Sequence, residues 1–117
     1  MTALDTALAY HRAWTAKDLD GALRHIDPDI VCHAPAGRID GLDGYRAFMA
    51  PFVAMLRGAR LLGAFGDGDT ALVMYDTETA LVASAPGAEL VTVRDGRIVE
   101  SWFIFDRLPF AEARRSA

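Results

Sequence analysis

The first half of the chain repeats apolar residues at helical spacing. Thr2 and Asp5 have the arrangement of a capping box, and the apolar positions behind them predict a helix over residues 3–16. Asp18 can cap a second, shorter helix. A short β-like run follows at residues 30–34. The pattern therefore predicts two helices and one short strand in the first third of the chain.

A third helix is the clearest element of the pattern. Its apolar positions from Tyr45 to Leu56 follow the spacing i, i+3, i+4, i+7, although Pro51 favours a kink within it. After Gly58 the apolar residues alternate with a period of two, which is typical of strands. The predicted strands cover residues 60–65, 70–82, 88–94 and 97–106.

Short turns separate these strands, so consecutive strands are expected to run antiparallel. Helices in the first half and strands in the second predict an α+β fold with helices on one face of a curved antiparallel sheet. Residues from Leu108 onward are expected to form a tail, although Phe110 could fold back onto the body. The sequence contains no internal repeat and no low-complexity tract.

Composition limits the classes of function. With 117 residues, of which 52% are hydrophobic, residues 1–117 are expected to form a single domain. The net charge is −4 and the basic residues are scattered, so we expect no nucleic-acid partner. Without a long apolar run or a basic leader, we expect no membrane association and a cytoplasmic protein. The single cysteine, Cys32, excludes an internal disulfide.

Four short motifs accompany this order of elements. They are AKDLDG at 16–21, PAG at 35–37, GLDG at 41–44 and RDGRIV at 94–99. Together they resemble the nuclear transport factor 2-like (NTF2-like) superfamily, and within it the SnoaL-like polyketide cyclase and ketosteroid isomerase branch. The resemblance implies a cone-shaped sheet around a pocket, with the N-terminal helices on its concave face. It does not specify the chemistry, because that fold hosts isomerases, cyclases, hydrolases, dehydratases and non-catalytic members.

The resemblance assigns Tyr10 to the position of a tyrosine that donates a hydrogen bond to a substrate oxyanion. Tyr10 and Trp14 lie four residues apart and share one helix face, so both are expected at the same cavity. The alternative is that both are simply core aromatic residues.

Glu89 is the second candidate. It is the only charged residue between Ala88 and Val93, and the resemblance places it where ketosteroid isomerases keep a buried carboxylic acid neutral. If the strand is covered on that face, loss of hydration should raise the pKa of Glu89 toward neutral pH. The alternative is an exposed glutamate at the edge of a strand, near the turn at Pro86 and Gly87.

The length of the next turn decides which face Glu89 shares. A two-residue loop at Asp95 and Gly96 places Glu89 on the side of Trp102, whereas a three-residue loop starting at Arg94 places it on the side of Ser101. We favour the three-residue loop, because the resemblance directs Ser101 and its alternate neighbours into the pocket.

His33 and Asp76 are the candidates for a general base. Counted without gaps, Ala34 takes the position of the family's catalytic aspartate and His33 points to the opposite face; a one-residue shift near Pro28 would bring His33 into the pocket. Asp76 continues an apolar stripe that includes Met74 and could approach Glu89, or the strand end could turn it toward solvent.

The pocket lining expected from these assignments is mostly aromatic. It consists of Trp14, Phe48, Phe52, Met74, Ser101, Phe103 and Phe105. The opposite face of the last strand carries Trp102 and Ile104, which would be costly to expose, so a homodimer through this outer face is expected.

The leading hypothesis is a cofactor-independent SnoaL-like enzyme that isomerises, cyclises or hydrolyses an apolar small molecule. In it Tyr10 donates to developing charge, Glu89 acts as an acid or second donor, and His33 or Asp76 accepts the proton. No metal is expected, because the three histidines have no metal-binding spacing. The alternatives are a dimeric module that binds a molecule without converting it, which Ala34 favours, and a scaffold.

Overall fold

The computed structural model describes residues 1–116, and Ala117 lies outside the described residues. The helices are α1 (Ala3–Thr15), α2 (Leu19–Leu23), α3 (Gly41–Met55) and α4 (Leu108–Ser116). The strands are β1 (Ile26–Ala34), β2 (Gly37–Asp40), β3 (Leu56–Asp67), β4 (Thr70–Thr79), β5 (Ala85–Arg94) and β6 (Arg97–Phe105). The predicted α+β fold class is confirmed.

The helix starts follow the capping signals in the sequence. The Asp5 N–H donates to Thr2 Oγ1 at 3.1 Å, and the Thr2 N–H donates to Asp5 Oδ2 at 2.9 Å, which completes the predicted capping box of α1. Asp18 caps α2 by accepting a hydrogen bond from the Gly21 N–H at 2.9 Å. Pro51 lies inside α3, as expected from the pattern.

The six strands form one mixed sheet in the order β2-β1-β6-β5-β4-β3. The expectation of a fully antiparallel sheet is wrong at one place, because β1 and β6 pair in parallel. These two strands are far apart along the chain, so no short turn constrains their direction. The short strand β2, which the sequence pattern did not predict, pairs with β1 at the edge of the sheet.

The helices cover one face of this sheet. Helix α1 packs across β3 to β6, and α3 packs against β1 and β2. The large side chains of the core are fully buried between the helices and this concave face: Trp14, Tyr10, Tyr45, Ile30, Ile98 and Val91. Alternate residues of the strands point to the opposite, outer face, where several large apolar side chains are exposed.

The β5–β6 hairpin differs from the predicted one. Arg94 pairs with Arg97, so the loop has two residues, and Asp95 and Gly96 have φ values of 53° and 76°. Two positive φ values are typical of a tight type I′ hairpin turn. A β-bulge at Val99 then shifts the register by one residue. The prediction of a three-residue loop is therefore wrong. The bulge nevertheless places Glu89 and Ser101 on the same face of the sheet, as a three-residue loop would have done.

The C-terminal segment is a helix rather than a tail. Phe110 of α4 is buried and packs edge-to-face against Phe52 of α3 and Phe105 of β6, with 6.4 Å between ring centroids in each pair. This apolar contact explains why the segment is ordered against the body. None of the helices in residues 1–116 is both long enough and apolar enough to cross a bilayer.

Candidate functional site

A chain of buried polar side chains lies between the helices and the sheet. The Ser101 hydroxyl donates to Glu89 Oε2 at 2.5 Å, and the Tyr45 hydroxyl donates to the same oxygen at 3.2 Å. The Tyr10 and Tyr45 hydroxyls are hydrogen-bonded to each other. Each phenol has a single proton, so Tyr45 can donate to Glu89 only while it accepts from Tyr10. We call these four residues the Glu89 network.

Four different elements bring the Glu89 network together. Tyr10 lies on the inner face of α1, and Tyr45 begins the apolar stripe of α3. Glu89 of β5 pairs with Phe103 of β6, so it shares the concave face with Ser101, two residues before Phe103. Glu89 therefore lies on the expected face. The cause is the bulge at Val99 and not the predicted three-residue loop.

Burial changes the acidity of Glu89. The side chain is only 3% exposed, and loss of hydration raises the pKa of Glu89 from 4.5 to about 7, against the opposing effect of hydrogen bonds from Ser101 and Tyr45. Both protonation states are then populated near neutral pH. A carboxyl group with this property can take up and release a proton during a reaction.

The tyrosines around Glu89 remain protonated. Burial, followed by the negative charge of Glu89, holds the pKa of Tyr10, Tyr45 and Tyr75 well above the ordinary value of 10.0. Their hydroxyl groups are therefore hydrogen-bond donors at any working pH.

An apolar pocket of about 520 Å³ opens beside the network. This volume is in the range of cavities that hold a small organic molecule. Five of the predicted lining residues are part of its wall: Trp14, Phe48, Phe52, Phe103 and Phe105. The wall also includes Tyr75 and Thr77 of β4 and residues of α4, which closes one side of the pocket.

The Glu89 network lies behind the pocket wall. None of its four members lines the pocket, but two wall residues contact both regions. Met49 lines the pocket, and its Sδ lies 4.0 Å from the Tyr10 hydroxyl. The ring of Phe103, another wall residue, is 6.3 Å from that of Tyr45. Met49 and Phe103 therefore separate the pocket from the Glu89 network, and a bound molecule would approach the network at these two side chains.

A sequence model described as a SnoaL-like domain matches residues 7–101. The chain belongs to this family. A crystal structure of a protein from Kribbella flavida DSM 17836 is 63% identical with a TM-score of 0.94, and the match covers 97% of this chain and 93% of that one. Membership confirms the resemblance drawn from the short motifs.

More distant structures share the fold. IdmH from Streptomyces antibioticus, a candidate polyketide cyclase, is 22% identical over 98% of this chain and 99% of its own, with a TM-score of 0.78. TerC, co-crystallised with polyporic acid, is 23% identical over 97% and 98%, with a TM-score of 0.75. None of the curated proteins matches the chain. At these identities the two structures show an NTF2-like fold and nothing finer.

The structure does not place His33 with the other candidates. Cys32 faces the interior beside Ser101, so the next side chain points to the outer face. There the His33 ring stacks on Trp102 with 3.8 Å between centroids, and its Nε2 lies 3.1 Å from Glu100 Oε2. The ungapped count along β1 is therefore the right one, and the expectation that His33 enters the pocket is wrong.

Two residues of β4 also lie on the outer face. Met74 is 46% exposed, and the Asp76 carboxylate accepts hydrogen bonds of 2.9 and 3.0 Å from the Ser84 hydroxyl. Strand alternation directs Tyr75 and Thr77 inward instead. The expected roles of Asp76 as a base and of Met74 as pocket lining are therefore not compatible with this fold. Ser101 faces inward, but it belongs to the Glu89 network and not to the pocket wall.

Sequence reasoning missed two tyrosines. Tyr45 appeared only as an apolar position of α3, although it shares a helix face with Phe48, Met49 and Phe52, and that face could have identified it. Tyr75 alternates with the exposed residues of β4, so correct assignment of the inner face would have found it.

Two further titratable residues are buried near the site. Burial, with a smaller effect of the Glu89 charge, raises the pKa of the Cys32 thiol to about 12, so this cysteine has little thiolate character. Burial lowers the pKa of His11 to about 4, so its imidazole is neutral at physiological pH. Residues 1–116 contain no group of three His, Cys, Asp or Glu side chains that could hold a metal ion.

Proposed function

We propose that this SnoaL-like protein catalyses proton transfer on an apolar small molecule bound in the pocket. The observation that carries the proposal is Glu89, a buried carboxyl with a pKa of about 7 next to an apolar cavity. Isomerisation, cyclisation and hydrolysis of such a molecule all need a group that accepts and returns a proton.

The side chains have distinct roles in this proposal. Ionised Glu89 accepts a proton from the bound molecule and returns it at a second atom, while Tyr10 and Tyr45 adjust their hydrogen bonds to the changing charge. Tyr75 lines the pocket with a protonated phenol, which can donate to an oxygen that develops negative charge. Met49 separates pocket and network, and its flexible side chain must change rotamer for Glu89 to be reached.

Deuterium uptake by apolar ketones in D₂O tests this reaction class without knowledge of the natural substrate. Wild-type protein should accelerate exchange at carbon atoms next to the carbonyl, with a rate that rises through about pH 7 as Glu89 ionises. Glu89→Gln should slow this exchange by about a hundredfold or more. Mass spectrometry of the recovered ketone measures the uptake.

Glu78→Gln is the matched control, because Glu78 is an exposed residue on the outer face of the same sheet. It should exchange at the wild-type rate. If Glu89→Gln exchanges as fast as Glu78→Gln, Glu89 does not transfer the proton and the proposal fails.

A second candidate function is binding without conversion. The observation in its favour is that all four members of the Glu89 network lie behind the pocket wall. A binding module would retain a ligand through purification, and native mass spectrometry would detect it in chemically unaltered form. Retention together with no ketone exchange at any pH would favour this function over catalysis.

We also propose that a second copy of the chain covers the outer face. Trp102 is 49% exposed and Ile104 is 70% exposed on the same side of β6, and exposed Leu72, Met74 and Leu90 extend this apolar surface. Trp102→Glu should produce monomers in sedimentation velocity, whereas Trp102→Phe should keep the dimer. If Trp102→Glu sediments like the wild type, this face is not the interface.

A further inference from the structure

The charges at the pocket have one sign. Although the chain carries a net charge of −4, the charged residues that line the pocket are Arg107 and Arg114, and no carboxylate among residues 1–116 is part of the wall. An apolar cavity bordered by two guanidinium groups has the electrostatic character expected for an anionic ligand.

Helix α4 explains why both arginines are part of the pocket wall. Arg107 directly precedes the helix. Ala111 and Arg114 lie four and seven residues after Arg107, and this helical spacing places all three on one face. Phe110 anchors this face against Phe52 and Phe105. Arg115, which follows Arg114 directly, points elsewhere and does not line the pocket.

Within residues 1–116, neither guanidinium group has an anionic partner. The three ion pairs found among residues 1–116 join other side chains, His33–Glu100, Arg38–Asp40 and Arg46–Asp20. Asp106, next to Arg107, accepts a hydrogen bond of 3.0 Å from the Leu108 N–H at the start of α4, and Glu112, two residues before Arg114, takes part in none of these ion pairs. Arg107 and Arg114 are thus available for a ligand.

Trp14, a residue of the pocket wall, has an unused hydrogen-bond donor. Trp14 lines the cavity and is only 1% exposed, and its indole Nε1–H is the one buried side-chain N or O atom among the described residues without a hydrogen-bond partner. Buried polar groups are rarely left in this state, because the missing bond costs free energy. The Nε1 atom is enclosed by protein atoms, so a molecule in the cavity could accept from it only after a neighbouring side chain moves.

We propose that the pocket binds an apolar monoanion, such as an aromatic or aliphatic carboxylate, phenolate or sulfonate. Its ring or chain occupies the apolar cavity, against Phe52 and Phe105, and its charged group lies at the rim beside Arg107 and Arg114. This inference rests on the proposed function, because it names the class of molecule that the same pocket holds.

Two fluorescent probes with the same skeleton separate the charge from the cavity. 1-Anilinonaphthalene-8-sulfonate carries a sulfonate, and N-phenyl-1-naphthylamine lacks it. Wild-type protein should bind the sulfonate probe more tightly, and the double variant R107Q/R114Q should weaken that binding by about tenfold while leaving the neutral probe within about twofold. Added salt should weaken binding of the sulfonate probe alone.

R97Q/R115Q is the matched control, because it removes the same total charge from exposed residues outside the pocket wall. It should bind both probes as the wild type does. Equal loss of sulfonate binding in the two double variants would overturn the inference, since the effect would then come from net charge alone. Ala111→Trp, which fills the pocket from α4, should abolish binding of both probes, and sulfonate binding that survives it would also overturn the inference.

The neutral probe distinguishes this inference from the proposed function. Normal binding of N-phenyl-1-naphthylamine with no effect of R107Q/R114Q on the sulfonate probe would reject the anionic ligand and leave the apolar pocket in place. Failure of wild-type protein to bind either probe would reject both the anionic ligand and the pocket on which the proposed function depends.

Discussion

The two faces of the sheet are built from the same strands and have opposite chemistry. On the concave face, Tyr75 and Glu89 are buried beneath the helices, and loss of hydration raises the pKa of both side chains. On the outer face, Met74 and Trp102 remain in contact with solvent. A shift of one residue along a strand thus decides whether a side chain is buried beneath the helices or lies on the outer face.

The histidines illustrate the same difference. His11 lies inside, against Trp14 and Tyr75 with ring centroids 5.1 and 5.2 Å away, and burial lowers its pKa to about 4. His33 lies outside, stacked on Trp102 and close to Glu100. A histidine in a sequence therefore indicates acid-base chemistry only when the face that it occupies is known.

The largest expected effect concerns the two tryptophans, one on each face. Trp14→Ala removes a fully buried indole and should lower the free energy of unfolding by about 3–5 kcal/mol. Trp102→Ala removes a half-exposed ring and should lower it by about 1 kcal/mol or less. Denaturant unfolding, at concentrations where both variants have the same oligomeric state, measures both values. Similar losses in the two variants would remove the energetic distinction between the faces.

The second-largest expected effect is a pH dependence of stability that comes from Glu89 on the concave face and has no counterpart at Glu78 on the outer face. Because the folded-state pKa of Glu89 is raised from 4.5 to about 7, its contribution to stability is fully present below pH 4.5 and is lost as the pH rises through 7. Relative to Glu89→Gln, the wild type should therefore lose on the order of 3 kcal/mol between these two pH values. Denaturant unfolding from pH 4 to 8 measures this loss.

The comparison with Glu89→Gln is needed because His11 acts in the opposite direction. Its pKa is lowered from 6.5 to about 4, so its contribution to stability is lost as the pH falls through this window in both proteins. Subtracting the Glu89→Gln curve removes this effect. Glu78→Gln, on the outer face, should have the same pH dependence of stability as the wild type. If it instead behaves like Glu89→Gln, burial of Glu89 does not cause the loss of stability at higher pH.

The smallest expected effect is at the β5–β6 turn, which together with the bulge sets the faces of β6. Gly96 has a φ of 76°, and a Cβ added there would meet no other atoms. Gly96→Ala should therefore lower the free energy of unfolding by about 1 kcal/mol through backbone strain alone. Gly58→Ala is the control, because Gly58 also has open space but no positive φ. Its thermal unfolding should match the wild type, and an equal loss at both glycines would exclude strain at the turn.

Local signals predicted the helices better than the sheet. The capping box at Thr2 and the cap at Asp18 are short-range interactions, and the structure contains both. The parallel pairing of β1 with β6 is a long-range contact that no turn or spacing encodes. The position of α4 likewise depends on contacts between Phe110 and residues distant in sequence, so the sequence allows Phe110 to fold back but does not predict the helix.

The candidate site was predicted in part for the same reason. Tyr10 and Glu89 were found because the family resemblance fixed their positions, and both belong to the buried network. His33 and Asp76 were chosen for their chemistry, and the face that each occupies excludes them from it. Arg107 and Arg114 have no sequence signal that marks them as pocket residues, because they join the pocket only through the packing of α4.

Patterns within the sequence are enough to predict the fold class, the starts of α1 and α2 and the alternation of side chains along each strand, because these depend on neighbours within a few positions. Only the tertiary structure decided which alternate set faces inward, since the bulge at Val99 and the pairing of β1 with β6 set the register between distant segments. The acidity of Glu89 follows from that decision, because a carboxyl group changes its pKa only when other parts of the chain exclude water from it.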